Sequence, residues 1–197
     1  VASAGDSNAE IVDARQPASG SAFPTLKSRL DYADALLSDI VLDVKMFGAK
    51  GDGITDDSVA FNQTILKVAE RGGGVVLVPE GTYIVSVQDD NLCIRLKSNV
   101  ALVGKGMGIT TIKLKADSPA WNRIIGFDAG FENCVVADLT IDGQKDTVTA
   151  GNEHMAGIFV ATGRNLKISN VEIKNTRGDN IQLYGGASSP FLRDVFI

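Results

Sequence analysis

Ile158-Phe159-Val160-Ala161-Thr162-Gly163, followed by Leu166-Lys167-Ile168-Ser169-Asn170-Val171-Glu172-Ile173, decides the fold. The first run alternates apolar residues and stops at glycine. The second alternates, breaks for two polar residues and resumes alternating. A period of two puts every second side chain on one face of a strand. The two-residue break lets the chain bend and restart with the same face inward. One strand, a glycine turn, a second strand, a bend and a third strand make one coil of a solenoid.

The same pattern recurs on both sides. Ile125-Gly126-Phe127-Asp128-Ala129-Gly130 and Ile181-Gln182-Leu183-Tyr184-Gly185-Gly186 repeat the first run, and Ile94-Arg95-Leu96-Lys97-Ser98-Asn99 is a variant with asparagine in the glycine position. Asparagine tolerates the left-handed backbone better than most residues. The second run recurs as Cys134/Val136/Leu139/Ile141 and as Pro190/Leu192/Val195/Ile197, with breaks at Ala137-Asp138 and Arg193-Asp194. Self-similarity at offsets of 33 and 23 residues between the isoleucines marks a solenoid with outer loops of variable length. Stacking predicts one interior ladder of Ile125, Ile158 and Ile181 and another of Val136, Ile168 and Leu192.

Upstream, Leu42–Phe47 alternates as a strand, and 48–53 is a glycine-rich loop. Thr55 or Asp56 can cap a helix from Asp57 to Arg71 that buries Phe61, Ile65, Val68 and Ala69. Gly72-Gly73-Gly74 ends it, and strands follow at Val75–Val78 and Thr82–Val85. The loop has neither phosphate-loop spacing nor a dinucleotide fingerprint, so it implies no nucleotide cofactor. Asp52, Asp56 and Asp57 read as turn and capping residues.

Residues 1–24 are rich in Ser, Ala, Gly and Asp and read as an extended leader. From Thr25, the apolar residues Leu26, Leu30, Ala33, Leu37 and Ile40 are spaced 4, 3, 4, 3, the seam of a short coiled coil. This suits a neck between identical chains, here a homotrimer; a helix resting on its own subunit is the alternative. The organisation expected is a leader and neck over 1–41, a cap over 42–91 and the first coils over 92–197. The strand pattern is still running at Ile197, so further coils, and with them the principal site, are expected beyond it.

Composition narrows the function. The 197 residues are 44% hydrophobic and 22% charged, enough to build a core, and 21 glycines fit many tight turns. A net charge of −5 argues against nucleic acid as a partner. No apolar run is long enough to span a membrane. Cys93 and Cys134 make neither a disulfide framework nor a metal site, and Cys134 takes an inward strand position. No metal site or cofactor is expected.

Three resemblances add to this. The order strand, Phe47-Gly48-Ala49, Gly51-Asp52-Gly53, Thr55-Asp56-Asp57, capped helix, Gly-Gly-Gly, strand, Pro79-Glu80-Gly81-Thr82-Tyr83 resembles the opening of the pectate-lyase-like right-handed parallel β-helix family. That resemblance implies an all-β solenoid whose first helix covers the open end. Leu102–Gly108 and Asp138–Gly143 are similar to segments of mannuronan C-5 epimerase modules. Those enzymes carry a catalytic Asp and His near the point reached here by Asn180–Gly186, which has neither, so the resemblance carries over the fold and not the epimerase chemistry. Separately, Glu10–Arg15 with Phe23–Asp31 resembles a junction in tail proteins of phages of Gram-positive bacteria. It implies a virion tail location, with tail or baseplate proteins as partners; a secreted enzyme is the alternative.

Cleavage of a polysaccharide on such a scaffold needs paired carboxylates or a base beside a uronate. The catalytic candidates are Asp128, Asp179, Glu153 and His154, the last two in a polar loop between coils. Outward positions of the first strands form a stripe of Arg95, Gly126, Phe159 and Gln182, then Lys97, Asp128, Ala161 and Tyr184. Phe159, Gln182 and Tyr184, with Arg177 in the turn at the same edge, are the candidate substrate-binding residues. The expected function is recognition, with or without degradation by lyase or hydrolase chemistry, of a cell-surface polysaccharide during host adsorption. The alternative is a secreted lyase, glycoside hydrolase or epimerase of the same superfamily.

Overall fold

The structure is a computed structural model that describes residues 41–148, 155–184 and 193–197; the expected neck over 25–40 lies outside them. Val41–Ile197 forms one compact unit, a right-handed parallel β-helix with, among the described residues, a single α-helix at one end. Three faces wind around one apolar interior. The first holds β5 (Leu92–Leu96), β8 (Arg123–Phe127), β10 (Ala156–Val160) and β12 (Ile181–Leu183), all parallel. The second stacks β1 (Val41–Asp43), β3 (Gly74–Leu77), β6 (Val100–Val103), the first halves of β9 (Phe131–Asp142) and β11 (Gly163–Lys174), and β13 (Arg193–Phe196). The third stacks β2 (Asp52–Asp56), β4 (Gly81–Val85), β7 (Thr110–Leu114) and the second halves of β9 and β11.

Registers follow the apolar ladders. Ile94, Ile125, Ile158 and Ile181 are in line across the first face. Leu42, Val76, Leu102, Val136 and Ile168 are in line across the second, each less than a tenth exposed. Each such aliphatic side chain contributes about 1.5–3 kcal/mol by leaving water. Cys134 belongs to the same interior, opposite Leu166, and burial pushes its thiol up to about 11.

The corners are made by left-handed residues, which asparagine and aspartate enter more readily than most. Asn99, Asn133 and Asn165, at φ +63, +57 and +56, turn the chain from the first face to the second. Their side chains form a ladder, with Asn133 Nδ2 donating to Asn99 Oδ1 at 2.9 Å and Asn165 Nδ2 to Asn133 Oδ1 at 2.8 Å. Asp138 and Asn170, at φ +57 and +53, make the bends inside β9 and β11 and are joined at 2.6 Å.

The last repeat departs from the spacing. Counting apolar residues places Val195 beside Val171 in the third copy of the second run. The structure pairs Val195 with Leu166, and Asp194, at φ +57, takes the corner held by Asn165 one coil earlier. A left-handed corner outranked the apolar count. Leu192 lies outside the described residues.

The cap differs from expectation in three details. The strand expected over Leu42–Phe47 ends at Asp43, whose carboxylate accepts from the Lys45 N–H at 2.7 Å and starts a 3-10 turn over Val44–Phe47. Residues Asp52–Asp56 pair with β4 as a strand instead of a loop. The helix, α1, runs Ser58–Glu70. Asp57 stands at its N-cap but turns its carboxylate to the backbone N–H groups of Lys50 and Gly51, at 2.7 and 3.1 Å, while Asp56 accepts from the Ser58 N–H at 3.2 Å. The carboxylates thus fasten the glycine loop and the helix start. Phe61, Ile65 and Val68 are buried, and Phe61 meets Tyr83 edge to face with ring centroids 5.5 Å apart.

Strand β5 begins the first face, so among the described residues one of its edges has no strand beside it. Asn62 on α1 fills that place. Its Nδ2 donates to the Cys93 carbonyl at 2.8 Å and its Oδ1 accepts from the Arg95 N–H at 2.9 Å. One side-chain amide thereby imitates the peptide of a neighbouring strand.

Candidate functional site

The first face carries a row of outward side chains whose order follows from register. Arg95 stands beside Gly126, and Phe159 beside Gln182. Because Ile125 pairs with Ile158, Gly126 and Phe159 are also neighbours. A Cβ on Gly126 would lie 2.3 Å from Leu92 Cδ2, so the row has no room for a side chain there.

Asp128 is held as a counter-ion. Lys97 Nζ is 2.9 Å from one of its carboxylate oxygens and Arg95 Nη1 is 3.6 Å from the other. Arg95 also reaches Asp90 at 2.7 Å. Beside this cluster lies an aromatic one. Phe159 and Tyr184 are stacked with centroids 6.4 Å apart and planes 29° apart, and Tyr184 is 60% exposed. The guanidinium carbon of Arg123 lies 3.5 Å from the centroid of the Phe159 ring. Arg123 on β8, Phe159 on β10 and Tyr184, just past the end of β12, therefore form a file.

Arg123 was not among the residues read from the sequence. The stripe was counted outward from Ile125, and Arg123 precedes that residue by two. Alternation gives Arg123 the inward parity of Ile125 and sets it level with the buried Leu92 and Ala156, so a count of outward positions passes over it. Partial burial draws its pKa down from the ordinary value, yet an arginine stays charged at neutral pH. Among the described residues Arg123 has no carboxylate partner, whereas Arg95 and Lys97 are both paired. Its desolvated charge is offset by the quadrupole of the Phe159 ring, an interaction worth about 0.5–2 kcal/mol. Gln182 Oε1 is also enclosed without a hydrogen-bond partner among the described residues.

The remaining candidates lie elsewhere. Asp179 precedes Ile181 by two residues and Asp128 follows Ile125 by three, and those isoleucines share a register through Ile158. The two carboxylates are thus roughly 16 Å apart along the strand direction alone. A hydrolytic pair needs about 5–9.5 Å, so they do not act together. Asp179 is exposed, and its carbonyl accepts from the Gly157 N–H at 3.1 Å. Arg177 spends its guanidinium on the carbonyls of Lys145 and Val148, at 2.7 and 3.4 Å, and so secures that loop instead of lining the stripe. Glu153 and His154 lie outside the described residues. Among the described residues, no group of His, Cys, Asp and Glu side chains is placed to hold a metal ion.

Comparison with known proteins adds to this geometry. The mannuronan C5-epimerase AlgE6 of Azotobacter vinelandii is 36% identical over 163 residues, 77% of this chain and 18% of that protein. Its A-module structure superimposes with a TM-score of 0.65 at 34% identity, covering 72% of this chain and 40% of the module. The putative phage-related protein YobO of Bacillus subtilis (strain 168) is 34% identical over 186 residues, 91% of this chain and 22% of that protein. The pre-mature bacteriophage phi29 gene product 12 gives a TM-score of 0.65 at 25% identity, covering 86% of this chain and 23% of that one. The chain thus spans about a fifth of the length of the two curated relatives, which divide between a polysaccharide-modifying enzyme and a phage-related protein. Residues 41–197 match the family described as rhamnogalacturonase A/epimerase, pectate lyase-like. The chain belongs to that family.

Proposed function

We propose that this chain is part of a bacteriophage tail spike or appendage whose first β-helix face recognises a host cell-surface polysaccharide. The file of Arg123, Phe159 and Tyr184 is the observation that carries the reading. Tyr184 offers an exposed ring for the apolar face of a sugar, and Arg123 offers a cation for an anionic substituent. The Phe159 ring is covered by the guanidinium, so its part is to hold Arg123 in place. Gln182 stands beside Phe159 in the same row, and its partly exposed side chain adds a hydrogen-bonding amide. Likeness to YobO and to phi29 gene product 12 supports the virion setting. The 4-3 seam over Leu26–Ile40 supports a trimeric neck and attachment to tail or baseplate proteins.

These residues supply recognition. A catalytic pair does not assemble from Asp128 and Asp179, and Asp128 is engaged by two cations. The second reading, a secreted lyase, hydrolase or epimerase, is favoured by the likeness to the AlgE6 A-module.

The test is to incubate the full-length protein with neutral, carboxylated and phosphorylated polysaccharides. Binding, reducing ends and unsaturated-uronate absorbance are followed together, with the mass in solution measured alongside. Retention of an anionic polysaccharide by a trimer is the expected result. A protein that retains none overturns the proposal, and a monomer that cleaves or epimerises a uronate polymer selects the second reading.

A further inference from the structure

Helix α1 has a second stripe besides the one it buries. Val59, Asn62, Gln63 and Leu66 lie on one helical face, turned to β5 and away from the core stripe of Phe61, Ile65 and Val68. Asn62 locks this face to the β5 backbone. Around that anchor runs a groove of about 380 Å³, walled by Val59, Gln63 and Leu66 on one side and by Leu92, Arg95 and Lys97 on the other. Val59 and Leu66 are 56% and 46% exposed, although helix packing does not need them there.

The groove is continuous with the stripe described above, because Arg95 and Lys97 belong to both. A chain laid across β12, β10, β8 and β5 therefore runs into it. The walls are apolar with a few hydrogen-bonding groups, a combination that suits a sugar ring with an aliphatic face and hydroxyl edges. The Gln63 side chain makes no hydrogen bond among the described residues, so its amide is available to a hydroxyl. Asp89 also lines the groove, and it disfavours an anionic group at this point. Both walls are fixed by the Asn62 bonds, so little ordering is needed on binding.

From this continuity we infer that the groove between α1 and β5 is a terminal subsite of the polysaccharide track. It takes the apolar face and hydroxyls of a sugar at the cap end of the β-helix. This rests on the polysaccharide reading and adds its direction: the polymer runs along the solenoid axis and reaches the capping helix.

The experiment uses the full-length protein and size-fractionated oligomers of whichever polysaccharide in the panel is retained. Wild-type affinity is expected to rise in a further step for oligomers long enough to span from Tyr184 to Leu66. Leu66→Asp and Gln63→Ala are expected to lower the ratio of long- to short-oligomer affinity at least five-fold. Arg123→Ala is expected to weaken every length. Both groove residues are exposed, and unchanged melting of the variants confirms that folding is intact. Should Leu66→Asp melt early, Gln63→Ala decides alone. An unchanged ratio overturns the subsite and leaves the recognition face standing. If no polysaccharide in the panel is retained, the recognition reading falls and the subsite falls with it.

Discussion

The side-chain oxygen of Asn62 accepts a hydrogen bond from the backbone N–H of Arg95 at 2.9 Å, closing the open edge of the first strand on the first face. Together with the bond from Asn62 to the Cys93 carbonyl, it satisfies two backbone groups that would otherwise lie unpaired beneath a helix. Asn62→Ala should destabilise the protein by roughly 2–4 kcal/mol, since both partners lose their bonds. Denaturant unfolding measures the loss. Amide exchange at Arg95 should quicken more than at Ile158, which lies inside the sheet.

Phe61 tests the other stripe of the same helix. It is fully buried and packed edge to face on Tyr83. Phe61→Ala should cost about 3–5 kcal/mol, the usual range for a core aromatic. Thermal unfolding equal to wild type would contradict the role of α1 as the cap.

The asparagine corners predict a graded pair of variants. Asn133 has φ +57 and exchanges ladder bonds with Asn99 and Asn165. Asn133→Ala loses those bonds and forces alanine into a left-handed conformation, about 2–3 kcal/mol in all. Asn133→Gly relieves the backbone cost and should be the milder substitution by about 1 kcal/mol. Equal melting temperatures for the two would mean that the corner conformation carries no weight.

Acid should loosen the cap first. The Asp52 carboxylate is drawn below its usual 3.8 by the backbone N–H groups of Thr55 and Ile54. For Asp56, partial burial raises the pKa, but hydrogen bonds from Ser58 and Ser86 outweigh it and leave the group below 3.8. Folding favours the charged form of both, so their contribution is present above the unfolded value and lost as pH falls through the folded one. Melting temperature should decline below about pH 4, and Asp56→Asn should flatten that decline. A variant with the wild-type acid profile would remove Asp56 from the account.

Much of the fold was legible because a solenoid repeats its physics. The alternation around Ile125, Ile158 and Ile181 fixes which side faces in, and one slip would expose every apolar residue at once. The bends at Asp138 and Asn170 were legible for the same reason. The register of Val195 was not, because apolar spacing is silent on which polar residue makes the corner, and Asp194 could serve either bend. Asn62 was hidden too, since a polar residue between two helical stripes carries no sign that it imitates a strand. In the proposed recognition row, the outward placement of Phe159, Gln182 and Tyr184 followed from alternation. The stack of Arg123 on Phe159 did not, because it depends on contacts between coils more than thirty residues apart. Arg177 misled for a simple reason: a turn arginine near the stripe looks like a ligand residue until its carbonyl partners are seen.

The central claim is that the first face presents Arg123 on Phe159 to an anionic polysaccharide. Calorimetric titration of the full-length protein with a carboxylated or phosphorylated polysaccharide tests it most directly, comparing wild type with Arg123→Ala and Lys167→Ala. Both substitutions remove one positive charge, but Lys167 is exposed on β11, on the second face. The account predicts that Arg123→Ala weakens binding about ten-fold while Lys167→Ala leaves it within two-fold, in keeping with a charge-assisted contact of about 1.5–3 kcal/mol partly screened by solvent. Equal affinities for all three proteins, or equal losses in both variants, would contradict it.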